Sequence, residues 1–305
     1  MSDYINLPGY ASPENLWHKN ANLLLGKKVI VEEKIDGSQF SFGVMQDGKL
    51  HFRSKGRQIQ RDDVDGLFEP IVWALIAIEH HLPVGLIFRA EAVTRKRHNV
   101  LTYERVPERC CVVYDIQNES GQWMLPGRKV DICLQLGLEC VGFEVLDKLV
   151  AYDFLADRMN QPSMLGGPRE GIVIKPYDYL PLDPYTQMPV MAKMVRNEFR
   201  EKHGVAGNPN GRKGPSQIIE RLTTEFATEA RWQKAVQHLR DRGELKEGMH
   251  AVPDIMREIV VDLEKEEELY IRDQLWKWAW PQLKRLCGKG APEWYKSQLI
   301  VENKL

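Results

Sequence analysis

A lysine closes an apolar run in the string Val29-Ile30-Val31-Glu32-Glu33-Lys34-Ile35-Asp36-Gly37-Ser38. Three β-branched residues in succession predict a buried strand, and Asp36-Gly37 predicts the turn that ends it. The Lys34 amine is then delivered into the space above the strand. An amine attacks only when neutral, and a free lysine, with a pKa of about 10.4, is almost wholly protonated at neutral pH. Partial burial and neighbouring cations lower that value and make a lysine nucleophilic. Alone the string is weak: Lys-x-Asp-Gly arises by accident in roughly one chain of this length in fifteen, and a solvated lysine before a turn reads the same. Further weight comes from Glu91, Glu170, Lys175 and Lys193, each of which sits where an apolar strand begins or ends. Singly, each also reads as a surface charge, where an ion pair is worth under ~1 kcal/mol. Residues so placed can nevertheless converge on one cavity. Cations there would hold a polyphosphate and neutralise charge that develops during transfer. Carboxylates suit Mg²⁺ and ribose hydroxyls, and an aromatic such as Tyr114 can stack on a base. The set describes nucleotidyl transfer with a lysine nucleophile.

The elements that would position these residues are legible in outline. Residues 40–44 and 49–52 read as a hairpin around Gln46-Asp47-Gly48. A helix is predicted over 62–81, with further helices over 128–136, stopped by Gly137, and 152–160. Strands are predicted over 84–88, 111–116, 141–146, 170–175 and 191–195. After about residue 210 the pattern turns helical, over 216–242 and then 254–280 up to Pro281, with no alternating strand pattern. The Gly/Asn/Pro-rich loop 207–215 therefore predicts a boundary between an α+β domain, residues 1–206, and an all-helical C-terminal domain, residues 207–305.

The 305 residues, 43% hydrophobic and 28% charged, suffice for two domains with real cores. No stretch approaches the ~20 apolar residues of a membrane span and the N-terminus lacks a signal-peptide plan, so a cytoplasmic protein is expected. The five cysteines show no Cys-x-x-Cys spacing and read as buried thiols. A net charge of -1 leaves phosphate contacts to local patches, Arg95-Lys96-Arg97-His98 and the stretch from Arg196 through Arg200 to Lys213. Trp276-Lys277-Trp278-Ala279-Trp280 interleaves aromatics with a cation, as nucleic-acid binding segments do, but Trp276 and Trp280 share one helical face with Leu283 and favour a packed core. The acidic run 264–268 predicts a solvated face.

Lys34-Ile-Asp-Gly37, Phe88-x-x-Glu91, Val113-Tyr114-Asp115-Ile116, Glu170-Gly-Ile-Val-Ile-Lys175 and Met191-Ala-Lys193 resemble, in order, motifs I, III, IIIa, IV and V of the covalent nucleotidyltransferases: DNA ligases, RNA ligases and capping guanylyltransferases. The motif IV string alone arises by chance in only about one chain in several hundred. The resemblance spans roughly residues 25 to 200. It implies an ATP-grasp-like ligase domain of antiparallel sheets with flanking helices. It also implies that Lys34 attacks the α-phosphate of ATP and holds AMP as a phosphoramidate. Glu91 would bind ribose hydroxyls, Tyr114 would stack on adenine, Glu170 would help place Mg²⁺ or Mn²⁺, and Lys175 and Lys193 would hold the α-phosphate. Arg53 resembles the arginine of motif Ia, with Lys55 the other candidate.

DNA ligases and capping enzymes place a β-rich domain after motif V, whereas this chain offers helices. The helical tail, the short N-terminal lead and Glu33 resemble the RNA ligase 2 type, in which the preceding glutamate contacts the adenine amino group. The implied partner is RNA with 5′-phosphate and 3′-hydroxyl ends, served by a monomeric RNA-repair enzyme, with Asp36, Gln39, Arg196, Arg200 and Lys213 as candidate RNA contacts. The chain departs from that type at Asp36 and Gln39, and motif V lacks a second lysine two residues after the first. A DNA nick ligase, a GTP-dependent capping enzyme and a non-catalytic RNA-binding relative stand as alternatives.

Overall fold

In the computed structural model of the chain, the described residues are 5–16, 19–64, 66–152, 155–183, 187–196 and 215–301. In chain order the strands are β1 (Glu14–Asn15), β2 (Val29–Lys34), β3 (Ser38–Val44), β4 (Leu50–Ser54), β5 (Gln58–Ile59), β6 (Leu86–Ala92), β7 (Cys111–Asn118), β8 (Glu139–Cys140), β9 (Phe143–Leu146), β10 (Gly171–Pro176) and β11 (Ala192–Val195). The helices are α1 (Glu69–Ile76), α2 (Pro126–Leu136), α3 (Ala156–Met159), α4 (Pro215–Phe226), α5 (Glu229–Asp241), α6 (Val252–Cys287) and α7 (Ala291–Val301). The expected α+β architecture is borne out, with helices alone after residue 215 among the described residues.

Two sheets carry the first part. One runs β1-β11-β10-β2-β9, antiparallel except for the short β1–β11 pair. The other runs β5-β4-β3-β6-β7-β8, antiparallel except for β7–β8. Strand side chains alternate between faces. Val29 and Val31 accordingly pack with Ile172, Ile174, Ala192 and Met194 in one core, while Glu32 and Lys34 take the opposite face. Val173 lies opposite both Glu32 and Lys193 across the ladder, which puts Lys34, Lys175 and Lys193 on that same face. In the second sheet Phe40, Phe42, Phe88 and Ala90 pack under α1 and α2, so Gln39 and Glu91, paired in register, point the other way.

Two motif glycines are fixed by close backbone approach. A Cβ on Gly37 would collide with the Ala92 carbonyl oxygen, and one on Gly171 with that of Met194. At these positions only glycine lets the strands meet.

Several element boundaries differ from the sequence reading. The helix expected over 62–81 is α1 with a 3₁₀ turn at Glu79–His81; Pro70 sits in its first turn, where a missing N–H is harmless, and marks the start. The helix expected over 152–160 contracts to α3. The segment 216–242 divides at Thr228, whose hydroxyl accepts the Arg231 N–H and caps α5. Conversely, α6 continues through Pro281, where the Gln282 side-chain amide donates to the Trp278 carbonyl at 2.9 Å. The helical core gathers Ile218, Leu222 and Phe226 against Leu263, Tyr270, Ile271, Leu275 and Trp278. Trp276 and Trp280 stack on each other at 4.9 Å and remain exposed, so the packed tryptophan is Trp278. Cys111 and Cys133 are buried, but Cys287 is exposed. Among the described residues no helix is long and apolar enough to cross a membrane.

Candidate active site

The inner faces of the two sheets enclose a cavity of about 350 Å³, closed on a third side by α5 and α6. That volume is in the range of small-molecule sites. Lys34, Glu91, Tyr114, Glu170, Lys175 and Lys193 all line it, as do Glu33, Asp36 and Gln39.

A bulge shapes its floor. Along β6–β7 the register passes from Arg89↔Asp115 to Ala90↔Val113, which leaves Tyr114 without a ladder partner. A bulged residue is re-aimed and its backbone groups are released from pairing. The Tyr114 carbonyl accepts instead from Lys129 at 2.9 Å and Lys175 at 3.1 Å. Both amines also reach Glu32: Lys129 in a short hydrogen bond and Lys175 at 2.6 Å. Asp115 completes the network, accepting from Lys175 at 2.9 Å, from Tyr179 at 2.8 Å and from Tyr10. Two cations and two carboxylates are thus buried together. Lys129 is held charged: burial pulls its pKa down, and Glu32 more than reverses the effect.

Above this floor lies Lys34, with its amine 2.8 Å and 2.7 Å from the two Glu170 oxygens. Burial lowers its pKa, but the charges of Glu170 and then Glu91 outweigh that, and the net shift is upward. The resting amine is protonated. Glu91 is pushed up to about 8, chiefly by burial and against the pull of Lys34.

The remaining candidates have particular surroundings. The Asp36 carboxylate accepts from the Val100 and Leu101 N–H groups at 2.8 Å and 2.6 Å, and so fixes the loop after β6. Gln39 donates to the Tyr10 carbonyl at 3.2 Å. One Glu33 oxygen accepts from Met164 N–H at 2.9 Å; the other, Oε1, is buried with no hydrogen-bond partner among the described residues. Burial raises the Glu33 pKa. Arg53 donates to the Leu7 carbonyl at 3.4 Å and lies outside the lining, whereas Lys55 is part of it. Arg196 gives its backbone N–H to the Glu170 carbonyl at 3.0 Å. Arg200, Lys213 and the 206/207 boundary lie outside the described residues.

The sequence reading gave no role to Tyr10, Glu32, Asp115 or Lys129, nor to any cavity residue of the helices: Lys234, Gln237, His238, Asp241 and Glu266. One signal was available, the spacing of Glu258, Asp262 and Glu266 by four along α6, which stacks carboxylates on one face. The helices are bound to the sheets by polar contacts. Ser54 donates to the Asp241 carbonyl at 2.8 Å, Gln237 to the Ser38 hydroxyl at 2.5 Å, and Lys193 to Glu266 at 2.8 Å.

An adenine nucleotide fits the lining. The buried Glu33 Oε1 is an acceptor awaiting a donor, as the adenine amino group is, and the lysines suit phosphate. Among the described residues no three His, Cys, Asp or Glu side chains are gathered to hold a metal ion. A divalent ion at Glu170 would draw its other ligands from phosphate oxygens and water, as Mg²⁺ commonly does.

A family model described as RNA ligase matches residues 27–195, more than half of the chain. No curated protein matches the sequence. Among solved structures the fold is similar to that of Naegleria gruberi RNA ligase. A variant with ATP and Mn has a TM-score of 0.52 and 15% identity, covering 64% of this chain and 58% of that one. A variant with AMP and Mn gives 0.51 and 15%, with the same coverages of 64% and 58%. An apo variant gives 0.50 and 16%, covering 62% and 56%. The chain thus spans little more than half the length of these structures.

Two outcomes follow from the charges. Lys129→Met leaves the buried Glu32 with one cation in place of two and is expected to cost about 3–5 kcal/mol in urea unfolding. Glu91 holds its proton more tightly folded than unfolded, where its ordinary value is 4.5. Its contribution to stability is therefore complete below pH 4.5 and lost as pH rises through about 8. Glu91→Gln should flatten the decline between those values by about 1 kcal/mol or more, read from unfolding midpoints at pH 5 and 8.5.

Proposed function

Because the chain belongs to the RNA ligase family, we propose that it joins RNA ends with ATP: AMP is taken onto Lys34, passed to an RNA 5′-phosphate and displaced by a 3′-hydroxyl. The observation that carries this reading is the Lys34 amine, set at the end of β2 and hydrogen-bonded to Glu170, in a cavity also lined by Glu91, Tyr114, Lys175 and Lys193. The helices after residue 215 support an RNA ligase over the two classes that place a β-rich domain there. Residues 1–206 would form the adenylyltransferase unit and 207–305 the helical one.

In the first step the Lys34 lone pair attacks the α-phosphorus of ATP. A P–N bond forms, the bond from the α-phosphorus to the bridging oxygen breaks, and pyrophosphate leaves with the electron pair. The amine must first lose its proton, and Glu170, in direct contact, is the acceptor in place. Lys193 would hold the α-phosphate with the charge of Lys175 behind it, Tyr114 would stack on the base and Glu91 would bind the ribose. Glu33 Oε1 would accept from the adenine 6-amino group; guanine presents a carbonyl there, which favours ATP over GTP. Mg²⁺ or Mn²⁺, held in part by Glu170, would supply charge neutralisation at the triphosphate; the neighbouring Naegleria structures with ATP or AMP and Mn support this pair. In the second step an RNA 5′-phosphate oxygen attacks the same phosphorus and frees the lysine. In the third, the 3′-hydroxyl attacks the 5′-phosphate and AMP departs. Asp36, Gln39, Arg196, Arg200 and Lys213 would contact the RNA.

The test is a joining assay with ATP and Mg²⁺ on 5′-phosphorylated RNA strands, nicked and single-stranded, with matching DNA strands in parallel. Joined RNA is the expected product; neither joined strands nor adenylylated 5′ ends would overturn the proposal. Lys34→Ala should lose joining of a 5′-phosphate strand by at least about 10³-fold, since no other amine takes its place. It should still seal a strand supplied with a chemically adenylylated end.

A further inference from the structure

The acidic run that the sequence assigns to solvent turns inward at Glu266 and Glu267. Along α6, three of the four carboxylates on this side are taken by side chains of α5 and of Arg242, the residue after it. Glu258 takes Arg242 at 2.6 Å and His238 at 2.9 Å, Asp262 takes Lys234 at 2.8 Å, and Glu267 takes Arg231 at 3.0 Å. Glu266 differs. Its carboxylate crosses to the sheets, 2.8 Å from Lys193 on β11 and 3.4 Å from Asn15, with Lys234 at 3.8 Å.

A third amine faces the same place. Lys55, just after β4, donates to His238 Nε2 at 3.2 Å and pairs with no carboxylate among the described residues. Its pKa is pushed down to about 8, mainly by burial and then by the repulsion of Lys234, against the attraction of Glu266. His238 is likewise pushed down, to about 4, by burial and then by Lys55. Lys193 and Lys234 thus meet one carboxylate at the edge of the nucleotide cavity, and Lys55 lines the same cavity without a carboxylate of its own among the described residues. A carboxylate held this way is in the position of an oxyanion.

We propose that Lys55 and Lys234, together with Lys193 where it bridges from the α-phosphate, form a polyphosphate subsite, that the β- and γ-phosphates of ATP occupy it before leaving as pyrophosphate, and that Glu266 fills it at rest. The inference rests on the nucleotidyl-transfer reading for the orientation of ATP. It makes the helical unit part of the first chemical step, through Lys234. It also makes Glu266 an internal competitor: a pyrophosphate, with more charge and more acceptor oxygens than a carboxylate, displaces it, and its return after release opposes rebinding and the reverse reaction.

Titration calorimetry with inorganic pyrophosphate on the full chain tests this, with a 5′-phosphorylated oligoribonucleotide as the parallel arm. Glu266→Gln keeps an acceptor for Asn15 and Lys193 but removes the charge, and should tighten pyrophosphate about fivefold or more. Lys234→Ala should weaken it about tenfold, as expected for one charge-assisted contact. Pyrophosphate affinity unchanged or weaker in Glu266→Gln would overturn the proposal. So would shifts confined to the oligonucleotide, which would make the cluster a site for the RNA end. Binding is read without turnover, so the two readings fail separately. A chain that gives the pyrophosphate pattern but no covalent adduct loses the ligase assignment, and one that forms the adduct without the pattern loses the subsite.

Discussion

Four buried charges hold the molecule together at its centre. Glu32 on β2, Lys175 on β10, Asp115 on β7 and Lys129 on α2 neutralise one another where water is excluded. Each ion alone would cost several kcal/mol to bury, and together they are tolerated only because every partner is in place. The network therefore fixes the two sheets relative to each other. It also uses the Tyr114 carbonyl, which the bulge removes from the ladder. The same alternation that buries Glu32 puts Lys34 two residues further along the same face, so the position of the proposed nucleophile is a consequence of the network beneath it.

The Lys34 amine, the nucleophile of the proposed reaction, is charged at rest. Glu170, in contact with it, keeps it protonated, which is the opposite of the lowered pKa that a nucleophilic lysine needs. In the proposed reaction, loss of that proton would accompany nucleotide binding, with Glu170, already in contact with the amine, as the acceptor.

Much of the fold was legible, because strand alternation and helical periodicity are local. The β2 strand, the hairpin at Gly48, α2 with its Gly137 stop and the helical tail all follow from neighbouring residues. The network was not, because its members are distant in sequence: Lys129 and Glu32 are 97 residues apart, and nothing near either one announces the other. Single charged residues at strand ends could be recognised, and the structure gathers Lys34, Glu91, Glu170, Lys175 and Lys193 around one cavity. The inward turn of Glu266 could not be read from composition, since an acidic run normally lies on a solvated face. Only its spacing with Glu258 and Asp262 hinted at a buried stripe. Likewise Trp278, rather than the face-sharing Trp276 and Trp280, is the packed tryptophan. The neighbouring helix α4 decides which face of α6 is covered, and that is a tertiary fact.

The measurement that bears most directly on this account is covalent labelling with α-³²P-ATP and Mg²⁺, followed by proteolysis and mass-spectrometric location of the modified residue. Prior treatment with pyrophosphate would clear any AMP already attached. An acid-labile AMP on Lys34, formed from ATP and not from GTP, is the predicted result. Label on a different residue, or none on protein so treated, would contradict it.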